Sequence, residues 1–349
     1  MSSEHIIDPA DTVLITGAAG FIGTRVVDSL LRRGFSRLRC LARPGSDVTR
    51  LEAIARREPG VEIVRGNLLS RADCADAVEG VALIYHLAAA KGEKSFPDAF
   101  MNSVVTTRNL LDATLGARCL RRFVHVSSFA VYANRDNPQP RLLDESSPVE
   151  PQPALRGEAY CFAKVKQEEL VAEYGRTRGI RCVIVRPGYV YGPGHHEISG
   201  RVGVGTFGVF VHLGGSNTIP FTYVDNCADA IVLAGLRRGV DGEVFNVVDD
   251  DLPTSRQFLR LYKRNVRRFP SIYLPHALSH ALCWLWERYA AWSEGQLPPV
   301  FNRRRWHATW KRTRYTNDRA KARLGWTPQI STAEGFRRYF ESCRRGHHA

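Results

Sequence analysis

A glycine-spaced turn lies between two strongly patterned runs near the start of this 349-residue chain, and no other stretch restricts its folding as much. Residues 12–16, TVLIT, are apolar and β-branched, as a buried strand requires. Gly17-Ala18-Ala19-Gly20-Phe21-Ile22-Gly23 follows, and then VVDSLLRRG sets apolar residues at helical spacing up to Gly34. The strand-to-helix alternation recurs. Strand-like runs stand at 38–43, 61–66, 81–89, 121–128 and 181–187, separated by helical patterns, notably 98–115 and 158–179. Continuous Val/Ile/Leu strands joined by helices predict a parallel sheet covered on both faces. The fold class expected is therefore α/β, a Rossmann-type doubly wound sheet spanning 1–190. A smaller C-terminal lobe, 191–349, is expected to bind substrate, with 221–250 returning to the sheet.

In that setting the GxxGxxG turn points to a dinucleotide. Gly17, Gly20 and Gly23 allow a tight turn and close approach of the backbone to a pyrophosphate, which rests on the positive end of the next helix beside Phe21 and Ile22. An acidic residue ending the second strand would read both ribose hydroxyls of NAD. The strand instead ends Leu41-Ala42-Arg43, and a guanidinium there pairs with a 2′-phosphate, which favours NADP over NAD. The alternatives for Arg43 are stacking over the adenine or simple solvation.

Tyr160 and Lys164, four apart on a helical pattern, project from one face. A free tyrosine ionises near pH ~10, and a nearby ammonium together with the positive nicotinamide ring lowers that, so Tyr160 can act as a general base on a hydroxyl or as an acid on a carbonyl. Ser128, at the carboxyl end of the 121–128 run, falls on the side of the sheet where ligands bind and can hold the reacting oxygen. Its neighbour Ser127 is expected to be structural.

TGAAGFIG (16–23), HLAA (86–89), SSFAVY (127–132), YCFAK (160–164), RPGYVYGPG (186–194), YVDNCADA (223–230) and KARLGWTP (321–328) run in an order that resembles the extended short-chain dehydrogenase/reductase superfamily. The similarity lies with its NAD-dependent epimerase/dehydratase and 3β-hydroxysteroid dehydrogenase-like branch. The resemblance implies a catalytic triad of Ser128, Tyr160 and Lys164. It also implies cofactor contacts from Asn67, Leu68, Leu87, Ala88, Ala89, Pro187 and Gly188, with Asn67 standing where the family more often has Asp. A homodimer is a further implication. Phe129-Ala130 replaces the Asp-Glu pair that follows the hydroxyl residue in sugar-nucleotide dehydratases, which disfavours dehydration. Tyr189 and Arg201 are candidate substrate contacts. The activity expected is hydride transfer on a secondary alcohol or ketone of a nucleotide sugar or a sterol-like molecule. The alternative is a non-catalytic dinucleotide sensor of the same fold.

The net charge of +14 is concentrated late in the chain: residues 1–250 hold 29 Lys+Arg against 29 Asp+Glu, and 251–349 hold 20 against 6. Such a surplus suits a diphosphate, anionic lipid or nucleic acid, or is a solvated basic face. Trp306 and Trp310 interleave the arginines, but no nucleic-acid motif accompanies them, so that partner is not expected. Residues 273–292 are apolar around much of a helix and precede NRRRW, which fits either membrane-surface contact or packing on the C-terminal lobe. Eight scattered cysteines without a CxxC pair predict buried thiols, no metal site and a reducing cytoplasmic compartment. Neither a signal peptide nor a membrane-spanning run is expected.

Overall fold

A computed structural model of the protein describes residues 5–90, 95–134, 141–294, 296–297 and 301–347. Seven parallel strands form the central sheet: β1 Thr12–Thr16, β2 Leu38–Ala42, β3 Val61–Arg65, β4 Val81–His86, β5 Arg122–Val126, β6 Cys182–Pro187 and β7 Val244–Val247, in the order β7-β6-β5-β4-β1-β2-β3. Alternate side chains along each strand enter opposite layers. Val13 and Ile15 pack with Val26, Val27 and Leu30 of the Gly23–Arg32 helix and with the Val224–Leu236 helix, whereas Leu14, Ile84 and Phe123 meet Cys74, Leu110 and Leu170 on the other side. Both faces are thus dry, which is why the strands read as unbroken apolar runs.

The order of the strands reverses between β4 and β1, the point where a doubly wound sheet opens a crevice at its carboxyl edge. β7 pairs with β6 as Val244↔Ile184 through Val247↔Pro187. Arg122, fully buried on β5, closes the far end of the Val224–Leu236 helix by donating to the carbonyls of Ala234, Gly235 and Arg237, groups the helix leaves unpaired.

Two stretches depart from the sequence reading. The 98–115 pattern is not one regular helix: Phe96–Ala99 gives way to wider π turns at Phe100–Val105 before Thr106–Thr114. The weakly patterned 192–220 region contains a hairpin, Gly203–Thr206 with Val209–His212, extended by Ser271–Tyr273. Its glycine-rich sequence hid the alternation that marks a strand. This small sheet and the Ser255–Asn265 and Thr332–His347 helices surround an aromatic core of Tyr191, Phe221, Phe258, Phe336, Tyr339 and Phe340. A capping box, Thr254 with Gln257, starts the first of those helices.

Candidate active site

The glycine turn fits a pyrophosphate for reasons visible in its backbone. Gly17 has φ +70, and a Cβ there would stand 3.0 Å from the Ala88 nitrogen. At Gly23 a Cβ would lie 2.2 Å from the Gly17 oxygen, so this glycine lets the helix start against the turn. Gly20 is different, because a Cβ there would meet only the Gly17 oxygen at 3.1 Å. Its bareness keeps the cradle open toward the crevice. No side chain caps the Gly23–Arg32 helix and no acid lies in its first turn, so its positive end remains for an anion.

Around this cradle the sequence-predicted residues line the ends of β1 to β4. Leu87 and Ala88 follow β4, where the Ala88 N–H donates to Thr16 Oγ1 at 3.3 Å and Leu87 N–H to the Thr16 carbonyl at 3.2 Å. Ala89 comes next along that strand exit, and the Ala90 N–H donates to Ser103 Oγ at 3.0 Å. Arg43 is exposed just beyond β2, and its guanidinium has no ionic partner among the described residues. Arg65, which the sequence reading passed over, donates through Nη1 to the carbonyls of Arg43, Pro44 and Ser46 and so fixes the loop that carries Arg43. Its position ending the neighbouring strand was the available signal. Asn67 is held in a turn, its N–H on Asp73 and its Oδ1 accepting from Leu69, while Leu68 is buried with its carbonyl on Asn109. Pro187 ends β6, and Gly188 N–H donates to the Val247 carbonyl at 3.0 Å.

Ser128, Tyr160 and Lys164 meet at the carboxyl end of β5. Ser128 caps a short turn, Phe129–Val131, in extended backbone, its Oγ accepting from the Ala130 N–H at 3.2 Å, and its hydroxyl acts on the Tyr160 phenol. Tyr160 occupies the first turn of the Ala159–Arg178 helix, whose positive end favours a phenolate. Lys164, one turn later and buried, donates from Nζ to the Val126 carbonyl at 2.8 Å, tying the helix to β5. Burial pushes the lysine down to about 8, opposed by the Glu168 carboxylate. Burial also holds the Tyr160 phenol above the usual tyrosine range, with the Ser128 hydroxyl pulling it back. Desolvation, rather than the ammonium, is therefore the larger influence of the protein on this phenol.

Beneath the triad lies a polar layer that the sequence reading missed. Glu168 and Arg186 form a buried two-pronged ion pair, and Arg186 also donates to the Tyr132 hydroxyl at 2.9 Å, which in turn donates to Asn246 Oδ1 at 2.7 Å. Glu168 stands four residues after Lys164, so helical spacing alone would have found it. His86 bridges Thr16 and Thr107, each at 2.8 Å. Its pKa is pushed down to about 3 by burial and by Lys164, so it stays neutral. His125, with its ring centroid 5.9 Å from that of His86, is likewise held neutral, chiefly by burial.

The two candidate substrate residues are engaged within the protein. The Tyr189 hydroxyl donates to the Glu197 carbonyl at 3.0 Å, and His195 lies between the Tyr189 and Phe21 rings at 5.7 and 5.4 Å. Arg201 donates to the carbonyls of Ala308 and Thr309, with Tyr315 Oη at 3.5 Å. Tyr315 also leans on Phe129 at 5.6 Å, which connects Arg201 to the serine side of the cleft. Among the described residues no cluster of His, Cys, Asp and Glu could hold a metal ion.

Comparison with known proteins agrees with this geometry. The model of the NAD dependent epimerase/dehydratase family matches residues 13–247. A trifunctional UDP-glucose 4,6-dehydratase/UDP-4-keto-6-deoxy-D-glucose 3,5-epimerase/UDP-4-keto-L-rhamnose-reductase of Arabidopsis thaliana is 30% identical over 264 residues, 67% of this chain and 36% of that protein. Sterol demethylase protein B of Methylococcus capsulatus is 35% identical over 189 residues, 52% of each chain. These matches thus span about a third and about half of the relatives' own lengths. UDP-glucose 4-epimerase of Mycolicibacterium smegmatis is 29% identical over 95% of this chain and 98% of its own. The fold superposes on UDP-glucuronic acid 4-epimerase from Bacillus cereus, solved with UDP-glucuronic acid and NAD, with a TM-score of 0.72 at 21% identity, covering 96% and 99% of the two chains. The crevice, its glycine cradle and the family match lead to one assignment: the chain belongs to the NAD-dependent epimerase/dehydratase family of extended short-chain dehydrogenases/reductases.

Proposed function

We propose that the chain is an NADP-linked dehydrogenase/reductase acting on a secondary alcohol or its ketone in a bulky, sterol-like substrate, with Ser128, Tyr160 and Lys164 as its catalytic residues. The observation that carries this reading is that Lys164, one helical turn after Tyr160, donates to the Val126 carbonyl at the end of the strand that leads into Ser128, which brings the helix against the serine. When bound, the nicotinamide supplies or accepts the hydride. The chain's own residues manage the proton. Ser128 Oγ orients the reacting oxygen, and Tyr160 Oη takes the proton from the alcohol or returns it to the ketone. The helix N-terminus and the Lys164 charge favour the phenolate while it forms. Gly17 to Gly23 hold the pyrophosphate, Arg43 the 2′-phosphate, and the 67–68, 87–89 and 187–188 segments the adenine-to-nicotinamide path.

An apolar substrate is supported by the half-buried Tyr315 ring, which leans on Phe129 next to Ser128, and by the internal engagement of the Tyr189 hydroxyl. The second reading, a nucleotide sugar, is supported by Arg201, which stands against Tyr315 and can turn to a diphosphate. In both readings residues 1–190 with 221–250 carry the cofactor and the remainder of 191–349 shapes the substrate pocket. A homodimer in a reducing cytoplasm, peripheral at a membrane surface, completes the proposal; seven of the eight cysteines are buried free thiols, consistent with that compartment, and Cys119 departs from the expectation in being exposed. Tyr160→Phe tests the chemistry. The expected outcome is loss of turnover by about 10²–10⁴-fold with NADP affinity intact, and undiminished turnover would refute it. A variant that lost NADP binding as well would show that the tyrosine serves the fold rather than the proton.

A further inference from the structure

The His276–Trp292 helix carries more apolar surface than its inward packing uses. Its inward side sets buried Cys283 and Ala290 beside polar contacts, Ser279 Oγ accepting from Trp306 Nε1 at 2.9 Å and Glu287 pairing with Arg303 at 2.7 Å. Its outward side carries Leu278, Leu282, Trp284, Leu285, Tyr289 and Trp292, every one exposed and Trp292 to 76%. Five of these, at 278, 282, 285, 289 and 292, recur at intervals of four and three and make one continuous apolar stripe along the helix. Ile272 and Tyr273, exposed on the strand leading into it, extend the patch. A soluble surface rarely leaves so continuous an apolar area uncovered.

We infer that this stripe docks the protein on the surface of an anionic lipid bilayer, with the helix lying in the plane of the headgroups. Two observations select lipid over another protein surface. The charge around the stripe is one-sided: residues 255–315 contain 13 Lys+Arg against 2 Asp+Glu, Arg288 lies on the exposed side of the helix itself, and Arg264, Arg267 and Arg268 are exposed on the run that precedes it. Such a rim attracts acidic headgroups, whereas two copies of the face would bring like charges together. The aromatic residues are Trp and Tyr, whose rings settle at the headgroup level, and the arginine stems can lie along the apolar layer with their guanidinium groups in water. Among the described residues no helix is long and apolar enough to cross a membrane, so the contact is with one leaflet. The inference deepens the peripheral placement proposed above and does not depend on which alcohol is oxidised.

The experiment is flotation of the full chain with vesicles of phosphatidylcholine alone or with 30% phosphatidylglycerol, beside sedimentation velocity and NADP titration. The wild type is expected to float with the acidic vesicles, weakly with the neutral ones, and less as salt rises. Leu282→Glu/Leu285→Glu is expected to weaken partitioning by about a hundredfold while NADP affinity and sedimenting mass stay unchanged. Arg288→Gln in a folded chain gives a smaller loss confined to acidic vesicles. Absence of flotation by the wild type, or equal flotation of the double glutamate variant, would overturn the inference. So would a variant that halves the sedimenting mass without changing vesicle binding, since the stripe would then be a contact between protein chains. NADP binding is read separately, so failure here leaves the catalytic proposal standing, and the reverse.

Discussion

Replacing Lys164 with Met should stabilise the protein while abolishing its activity. The ammonium is buried, its pKa is pushed down to about 8 from an ordinary 10.5, and it makes one hydrogen bond, to the Val126 carbonyl. That displacement corresponds to about 3 kcal/mol of penalty on the charged form at neutral pH. Methionine has nearly the same reach without a charge. It forfeits a hydrogen bond from a charged donor, worth about 1.5–3 kcal/mol, so a small net gain of up to about 2 kcal/mol is expected at pH 7. The pH dependence supplies an independent check. Below about 8 the folded and unfolded chains both hold the proton and the penalty is complete. Between about 8 and 10.5 the unfolded chain keeps a proton that the folded chain has released, so the wild type gains stability as pH rises. By pH 10 the wild type should have recovered about 2–3 kcal/mol relative to the variant, enough to erase the gap. Urea unfolding of both proteins at pH 7 and pH 10 measures this, because other titrating groups cancel in the difference. A variant less stable than wild type by about 1 kcal/mol or more at pH 7, or a gap unchanged at pH 10, would refute the argument that the lysine is held against its own solvation.

Two further substitutions separate folding from cofactor binding. Gly23→Ala forces a Cβ to within 2.2 Å of the Gly17 oxygen and 2.8 Å of the Ala18 Cα, so both stability, by about 1–3 kcal/mol, and NADP affinity should fall. Gly20→Ala meets only the Gly17 oxygen at 3.1 Å. Denaturation should change by less than about 1 kcal/mol while calorimetric NADP binding weakens severely; equal loss in both measurements would show that Gly20 serves the turn alone. Arg43→Ala should weaken NADP by about tenfold or more and leave NAD nearly unchanged, consistent with a charge-assisted contact of about 1.5–3 kcal/mol. A wild type that prefers NAD would refute that role.

What could be read from the sequence followed from how much each residue depends on its neighbours in the chain. The glycine turn, the strand runs and the Tyr160–Lys164 spacing are local patterns, and the layered sheet with its crevice between β1 and β4 is their direct consequence. Residues whose roles come from distant partners were hidden. Arg65 looks like one more surface arginine until β3 sets it under the loop after β2. Arg186 and Glu168 lie 18 residues apart on different elements and become a pair only when the Ala159–Arg178 helix packs on β6. The hairpin at 203–212 escaped because alternation cannot be seen through glycine, and the π turns at 100–105 escaped because an apolar helical pattern does not specify one extra residue per turn.

The same distinction explains why the reaction class is easier to read than the substrate. Proton and hydride transfer need a few groups at fixed separations, and one helix together with the end of one strand supplies them. In the proposed reading substrate shape depends on Phe129, Tyr315 and Arg201, which come from three separated stretches and meet only through the pairing of Arg141–Leu143 with Thr313–Tyr315 and the return of the Arg303–Trp310 helix. Arg201 is where the two substrate readings diverge. Its guanidinium satisfies two carbonyls at the carboxyl end of that helix, where positive charge is favourable. Turning it to a diphosphate would give up those bonds for stronger ones, whereas an apolar substrate leaves them in place. A half-buried guanidinium already engaged by the protein is a wall of the pocket before it is a ligand, and that favours the apolar alcohol.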